Sequence, residues 1–180
     1  MKKLIFSALA FTALAFGANA QDDILKKAIN NPAVASYQIF GATQTNSEIA
    51  DTAVQGGKAR RVIIASGSDQ PWTAAAQMPI TGKMAKGERI VAAVWLKAAV
   101  TENGAPGTVT LRLQQSSAPY TGLAQKTVTL KPTWELYTVD VSMPEDYAKG
   151  TANLALQLAH AKQTIDIGPA FVLNMGPKAQ

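Results

Sequence analysis

Residues 108–115, TVTLRLQQ, alternate without a break. Val109, Leu111 and Leu113 project to one side, while Thr108, Thr110, Arg112 and Gln114 project to the other, because successive side chains of a strand point to opposite faces. An amphipathic helix would need its apolar residues three and four apart; here they are two apart, the pattern of a strand with one face on a core. The apolar set is explained by burial. The polar set, an arginine and a glutamine on a face of small residues, needs another explanation.

Several other stretches share this rhythm. Strands are expected near residues 36–42, 59–65, 72–78, 88–98, 107–114, 124–130, 135–142, 152–159 and 164–173, separated by the breakers GSDQP, TENGAPG, SSAPYTG, LKPT and MPEDYAKG. About nine strands in one domain predict an all-β, antiparallel two-sheet sandwich or barrel. The only helical reading is a short one over DDILKKAINNP, residues 22–32, capped by Asp22 or Asp23 and stopped at Asn31-Pro32. The organisation expected is a signal peptide over 1–20, a short helical segment over 21–35 and a β-sandwich over 36–180.

The leader reading rests on Lys2 and Lys3, an apolar run to Phe16 and the small residues Ala18-Asn19-Ala20. The run is shorter than the roughly 20 residues a bilayer span needs, so export to periplasm or medium, without membrane insertion, is expected. The chain has no cysteine. Disulfides, thiolate catalysis, cysteine-ligated zinc and lipid attachment through an N-terminal cysteine are thereby excluded, and the fold rests on its core. The formal charge of +5 falls to about +3 without Lys2 and Lys3. The remaining cations are scattered, with Lys26-Lys27 and Arg60-Arg61 as pairs, which speaks against a nucleic-acid partner.

Each alternating strand has a second face. Arg112 and Gln114 occupy it in the first strand, Asn153 and Gln157 in ANLALQLA, Asp166 in TIDIGPAFVLN, Trp95 in ERIVAAVWLKA and Gln77 in WTAAAQMP. If these strands are neighbours in one sheet, the residues stand together on a floor of Ala, Gly and Thr. Trp72 and Tyr120, in the turns GSDQPW and SSAPYTG, would overhang it. Planar amides, a guanidinium and a carboxylate around an aromatic plate suit a sugar, whose C–H face packs on a ring while its hydroxyls need paired donors and acceptors.

The order GGKARRV, DQPW before an alternating strand, GERIVAAVWLKA, WELYTV and TIDIGPAFVLNMG resembles carbohydrate-binding modules of the jelly-roll, galactose-binding-like type found on bacterial xylanases and other glycan-degrading enzymes. The resemblance covers roughly residues 56–176 and is stronger for fold than for ligand. It implies a sandwich whose concave sheet holds a poly- or oligosaccharide, with Trp95, Arg112, Gln114, Gln157 and Asp166 at concave-face positions, and glycan-degrading enzymes as partners. No cofactor is expected; a structural calcium is the one metal such sandwiches commonly hold.

Two other function classes stay open at this stage. A polysaccharide lyase or glycoside hydrolase of the same fold could use His160, the single histidine, with Tyr120 as base and acid. Glycosidases, however, need two facing carboxylates, and the strand faces supply only Asp166. A structural or partner-binding envelope protein would instead have the polar face covered.

Overall fold

A computed structural model describes residues 25–101 and 104–177; the leader and the capping end of the expected helix lie outside them. The described residues form ten strands: β1 (Gln38–Phe40), β2 (Gln44–Ala50), β3 (Lys58–Ile64), β4 (Ala75–Ile80), β5 (Glu88–Thr101), β6 (Gly107–Gln115), β7 (Gly122–Leu130), β8 (Glu135–Ser142), β9 (Ala152–Gln157) and β10 (Gln163–Pro177). They form two five-stranded sheets, ordered β1-β4-β9-β6-β7 and β2-β3-β10-β5-β8, antiparallel throughout. The expected sandwich is the observed one. No helix among the described residues is long and apolar enough to cross a membrane.

The alternation explains the core. Leu111 and Leu113 of β6 stand opposite Leu156 and Leu154 of β9, and these face Ile90, Val94, Leu96, Ile165 and Ile167 of the second sheet, all essentially fully buried. Each such side chain contributes about 1.5–3 kcal/mol by leaving water. In a chain without disulfides this interface is what holds the sheets together.

Three features depart from the sequence reading. First, β2 was not expected, because QTNSEIA is polar and mostly exposed; it is an edge strand, held by backbone pairing to β3. Second, unbroken alternation from Ile165 and Ile167 would put Phe171 in the core and Ala170 outside, yet Ala170 and Val172 are the buried pair. A bulge at Gly168-Pro169, between the pairs Ile167↔Leu96 and Ala170↔Val94, shifts the phase of β10 by one residue. Third, the described part of the N-terminal segment is extended after a single turn at Leu25. Ala28 bridges Leu173, and the buried Asn30 amide donates to Ala170 O (2.8 Å) and accepts from Val172 N (2.7 Å). These pairings, along an otherwise open stretch of β10, outweigh the local helical preference.

Candidate functional site

The outer face of the first sheet is a lattice of three rows, fixed by strand register. One row reads Phe40, Ala75, Gln157, Thr110, Thr127; the next Gln38, Gln77, Ala155, Arg112, Gln125; the third Pro79, Asn153, Gln114, Gly122. Ala75 and Ala155 leave the middle low. Around them is a recess of about 370 Å³, lined by Trp72, Ala75, Gln77, Arg112, Gln114, Pro119, Tyr120, Ala155 and Gln157. That volume lies in the range of small-ligand sites, roughly 300–1,000 Å³.

Gln114 and Gln157 are almost completely buried although they face away from the core, so they lie at the bottom of the recess. The walls are aromatic and project into solvent: Trp72 is 57 % exposed and Tyr120 49 % exposed. Trp72 sits in the 3-10 turn Pro71–Thr73 that leads into Ala75, and Tyr120 in the turn that leads into Gly122, so they reach the recess from diagonal corners. Tyr120 has φ +56°, a region a non-glycine residue seldom occupies, and its N–H donates to Ser117 O at 2.8 Å.

Arg112 is held in place by neutral groups. Its Nη1 donates to Gln125 Oε1 (3.0 Å) and its Nη2 to Tyr120 O (3.1 Å), while Nε has no partner. Gly122 makes this pose possible, since a Cβ there would stand 2.9 Å from Nη2 and 3.0 Å from Cζ. Asn153 stands outside the lining; its amide donates to Gln77 Oε1 at 3.2 Å and orients it. Gln125 and Gly122 were not singled out from the sequence, though the cross-strand position of the first and the turn PYTG before the second were available signals.

Trp95 and Asp166 do not belong to this face. The supposition that five alternating strands share one sheet fails, because β5 and β10 lie in the second sheet. Asp166 is fully buried and anchors an ion-pair row across β3, β10 and β5. Arg61 binds it with two bonds of 2.7 and 2.9 Å, and Lys97 approaches to 3.2 Å. A cross-strand pair between Asp166 and Arg112, which a shared face would have allowed, is excluded because their strands lie in different sheets. Trp95 packs beside Gly168, where an added Cβ would come within 2.9 Å of the Trp95 Cβ and 2.7 Å of Val54.

The Asp166 row continues to Asp51, which accepts from Lys97 Nζ (2.6 Å) and Trp134 Nε1 (3.0 Å). The Lys97 ammonium lies 4.8 Å from the centre of the Trp134 ring. Hydrogen bonds from Lys97, Trp134 and the Ala53 N–H hold the Asp51 carboxyl down at about 2. Desolvation opposes charge on Lys97, but bonds to Asp51 and Asp166 outweigh it and raise its pKa. Every charge in the row has a partner, which makes it a brace for the sheet and not a ligand site.

His160, in the turn after β9, adjoins the first row: its Nε2 lies 2.9 Å from Thr110 Oγ1, which meets Thr127 Oγ1 at 2.8 Å. Burial lowers its pKa. Tyr120 lines the recess, whereas His160 is not among its lining residues. The two are thus not placed as an acid–base pair. Among the described residues no group of three or more His, Asp or Glu side chains could hold a metal ion.

Comparison with known proteins agrees with this architecture. Curated proteins give no match. A solved CBM4 structure superposes with TM-score 0.59 at 18 % identity, over 84 % of this chain and 97 % of that one. The xylan-binding CBM22-1 domain of Xyn10C from Paenibacillus barcinonensis gives TM-score 0.54 at 13 % identity, over 86 % and 94 %. The Stig cyclase Fisc of Fischerella sp. TAU gives 0.60 at 12 %, over 83 % and 90 %, so this fold also occurs in an enzyme. At these identities the likeness is one of fold. The profile of the carbohydrate binding domain family matches residues 35–162, and the chain belongs to that family.

Proposed function

We propose that the protein is an exported, non-catalytic module that holds a poly- or oligosaccharide in the recess of the β1-β4-β9-β6-β7 sheet. One observation carries this reading: two solvent-projecting aromatic rings, Trp72 and Tyr120, flank a floor of alanines set with buried amides. A sugar's C–H face gains from contact with each ring. Gln77, Gln114 and Gln157 supply both donors and acceptors at the floor, as hydroxyls require. Glycoside hydrolysis needs two carboxylates, and none stands among the lining residues, which favours binding over hydrolysis. Export is supported by the composition of residues 1–20.

The test is a polysaccharide panel in affinity gels, with Trp72→Ala and Tyr120→Ala beside the parent. Both rings are about half exposed, so the variants keep the fold. Each should weaken retention about tenfold, which corresponds to 1.4 kcal/mol. If no polysaccharide retards the parent, or both folded variants bind as it does, the reading is wrong. Release of reducing ends or unsaturated products from the panel would point to an enzyme instead.

A further inference from the structure

The recess has an electrostatic character that a neutral sugar does not need. Its lining contains one charged side chain, Arg112. The five strands of its sheet, QIF, AAQMPI, ANLALQ, GTVTLRLQQ and GLAQKTVTL, contain no aspartate or glutamate at all. The strands of the opposite sheet carry Glu48, Glu88, Glu135, Asp140 and Asp166. Each of these has a partner on its own side of the molecule: Lys58, Asn174, Lys131, Arg89, and Arg61 with Lys97. Asp69, the acid nearest the recess in sequence, does not line it.

Two arginines can be compared directly. Arg61 is neutralised by a bidentate carboxylate. Arg112 meets only an amide oxygen and a peptide carbonyl, which position the guanidinium and leave its charge uncompensated; its Nε is buried and unpaired, so a ligand would meet the two Nη groups. A planar fork fixed this way, at the side of a recess from which carboxylates are absent, is complementary to a carboxylate brought by the ligand.

Resting on the carbohydrate reading, we propose that the site selects acidic glycans and seats the carboxylate of a hexuronate residue on Arg112. The rings of Trp72 and Tyr120 hold the sugar and its neighbours, while Arg112 reads its charge.

The experiment compares a polyuronate with the same polymer after its carboxyl groups have been reduced to alcohols. The parent protein should bind the acid form at least tenfold more tightly, and added salt should erode that margin. Arg112→Gln should bind both forms equally. Arg112→Lys, which keeps charge but loses the fork, should retain part of the margin and serves if the glutamine variant unfolds. Lys58→Gln, on the other sheet, removes the same net charge and should leave the margin intact. Equal or tighter binding of the reduced polymer overturns the charge selectivity and leaves carbohydrate binding standing. A margin that survives Arg112→Gln shows diffuse attraction and overturns the assignment to Arg112. Failure of both polymers and of every neutral glycan overturns the carbohydrate reading with it.

Discussion

Gly122→Ala separates the geometry of the recess from the stability of the sandwich. The new methyl would lie 2.9 Å from Arg112 Nη2, 3.0 Å from Cζ and 3.2 Å from Nε, where ordinary contacts need about 3.5–4.0 Å. The guanidinium must therefore withdraw by roughly half an ångström or more. Its bonds to Tyr120 O and Gln125 Oε1, now 3.1 and 3.0 Å, cannot both survive that shift. Buried bonds to a charged group are worth about 1.5–3 kcal/mol. Here water can replace the lost partners, so the folded state loses about 1 kcal/mol. Against this, alanine restricts the unfolded chain and returns about 0.4–1 kcal/mol, and no left-handed backbone at Gly122 penalises it. The two effects nearly cancel, and the melting temperature should move by less than about 4 °C. Affinity for the best-bound glycan should nevertheless fall about tenfold or more, because Arg112 and the Tyr120 turn lose their shared anchor. Thermal melting and calorimetric titration of the same preparation measure both quantities. A variant that melts normally and binds with full affinity would show that the pose of Arg112 is irrelevant to recognition.

Two further outcomes concern the frame around the site. Asn30→Ala strips partners from Ala170 O and Val172 N in a buried stretch, so urea unfolding should show a loss of about 2–5 kcal/mol; a loss below about 1 kcal/mol would mean that the segment before β1 adds little to the fold. Burial holds the pKa of His160 below its ordinary value, so the unfolded chain takes up the proton first as pH falls below about 6.5. Stability should decline from there until pH passes the lowered folded value, and His160→Gln should flatten the decline between neutral pH and the carboxylate range; an identical decline in parent and variant would refute it.

Which residues face inward could be read from alternation alone, because burial on a pleated strand has a period of two. Val109, Leu111 and Leu113, and Leu154 and Leu156, were assigned correctly for that reason. Alternation does not say which of two sheets a strand joins. The outer faces of a sandwich point in opposite directions, so Trp95 and Asp166 share a phase with Arg112 without sharing a surface. Charge complementarity held the missing signal: Asp166 had Arg61 and Lys97 available on alternating strands, and the strands of the recess have no acid. The bulge at Gly168-Pro169 was legible as a breaker, but its effect on the phase of Phe171 depends on how many residues oppose it on β5. Trp72 and Tyr120 were legible because an aromatic residue in a polar turn gains little from a core. β2 was invisible because an exposed edge strand needs only backbone partners.

The segment before β1 touches both sheets. Ile29 N–H donates to Val172 O (2.8 Å) of β10, and Ile29 O accepts from Thr81 N (2.8 Å) and Gly82 N (2.9 Å), just past the end of β4; Asn174 N–H adds a bond to Lys27 O (2.9 Å). It runs antiparallel to β10. A pull applied to the segment at Leu25 would therefore be taken in shear along several hydrogen bonds at once, and divided between the two layers before it reached β1. Unzipping β1 from β4 one bond at a time would be the weaker mode, and this attachment shields it. The recess, floored by β4, β9 and β6, is thereby insulated from a pull on the segment that precedes β1.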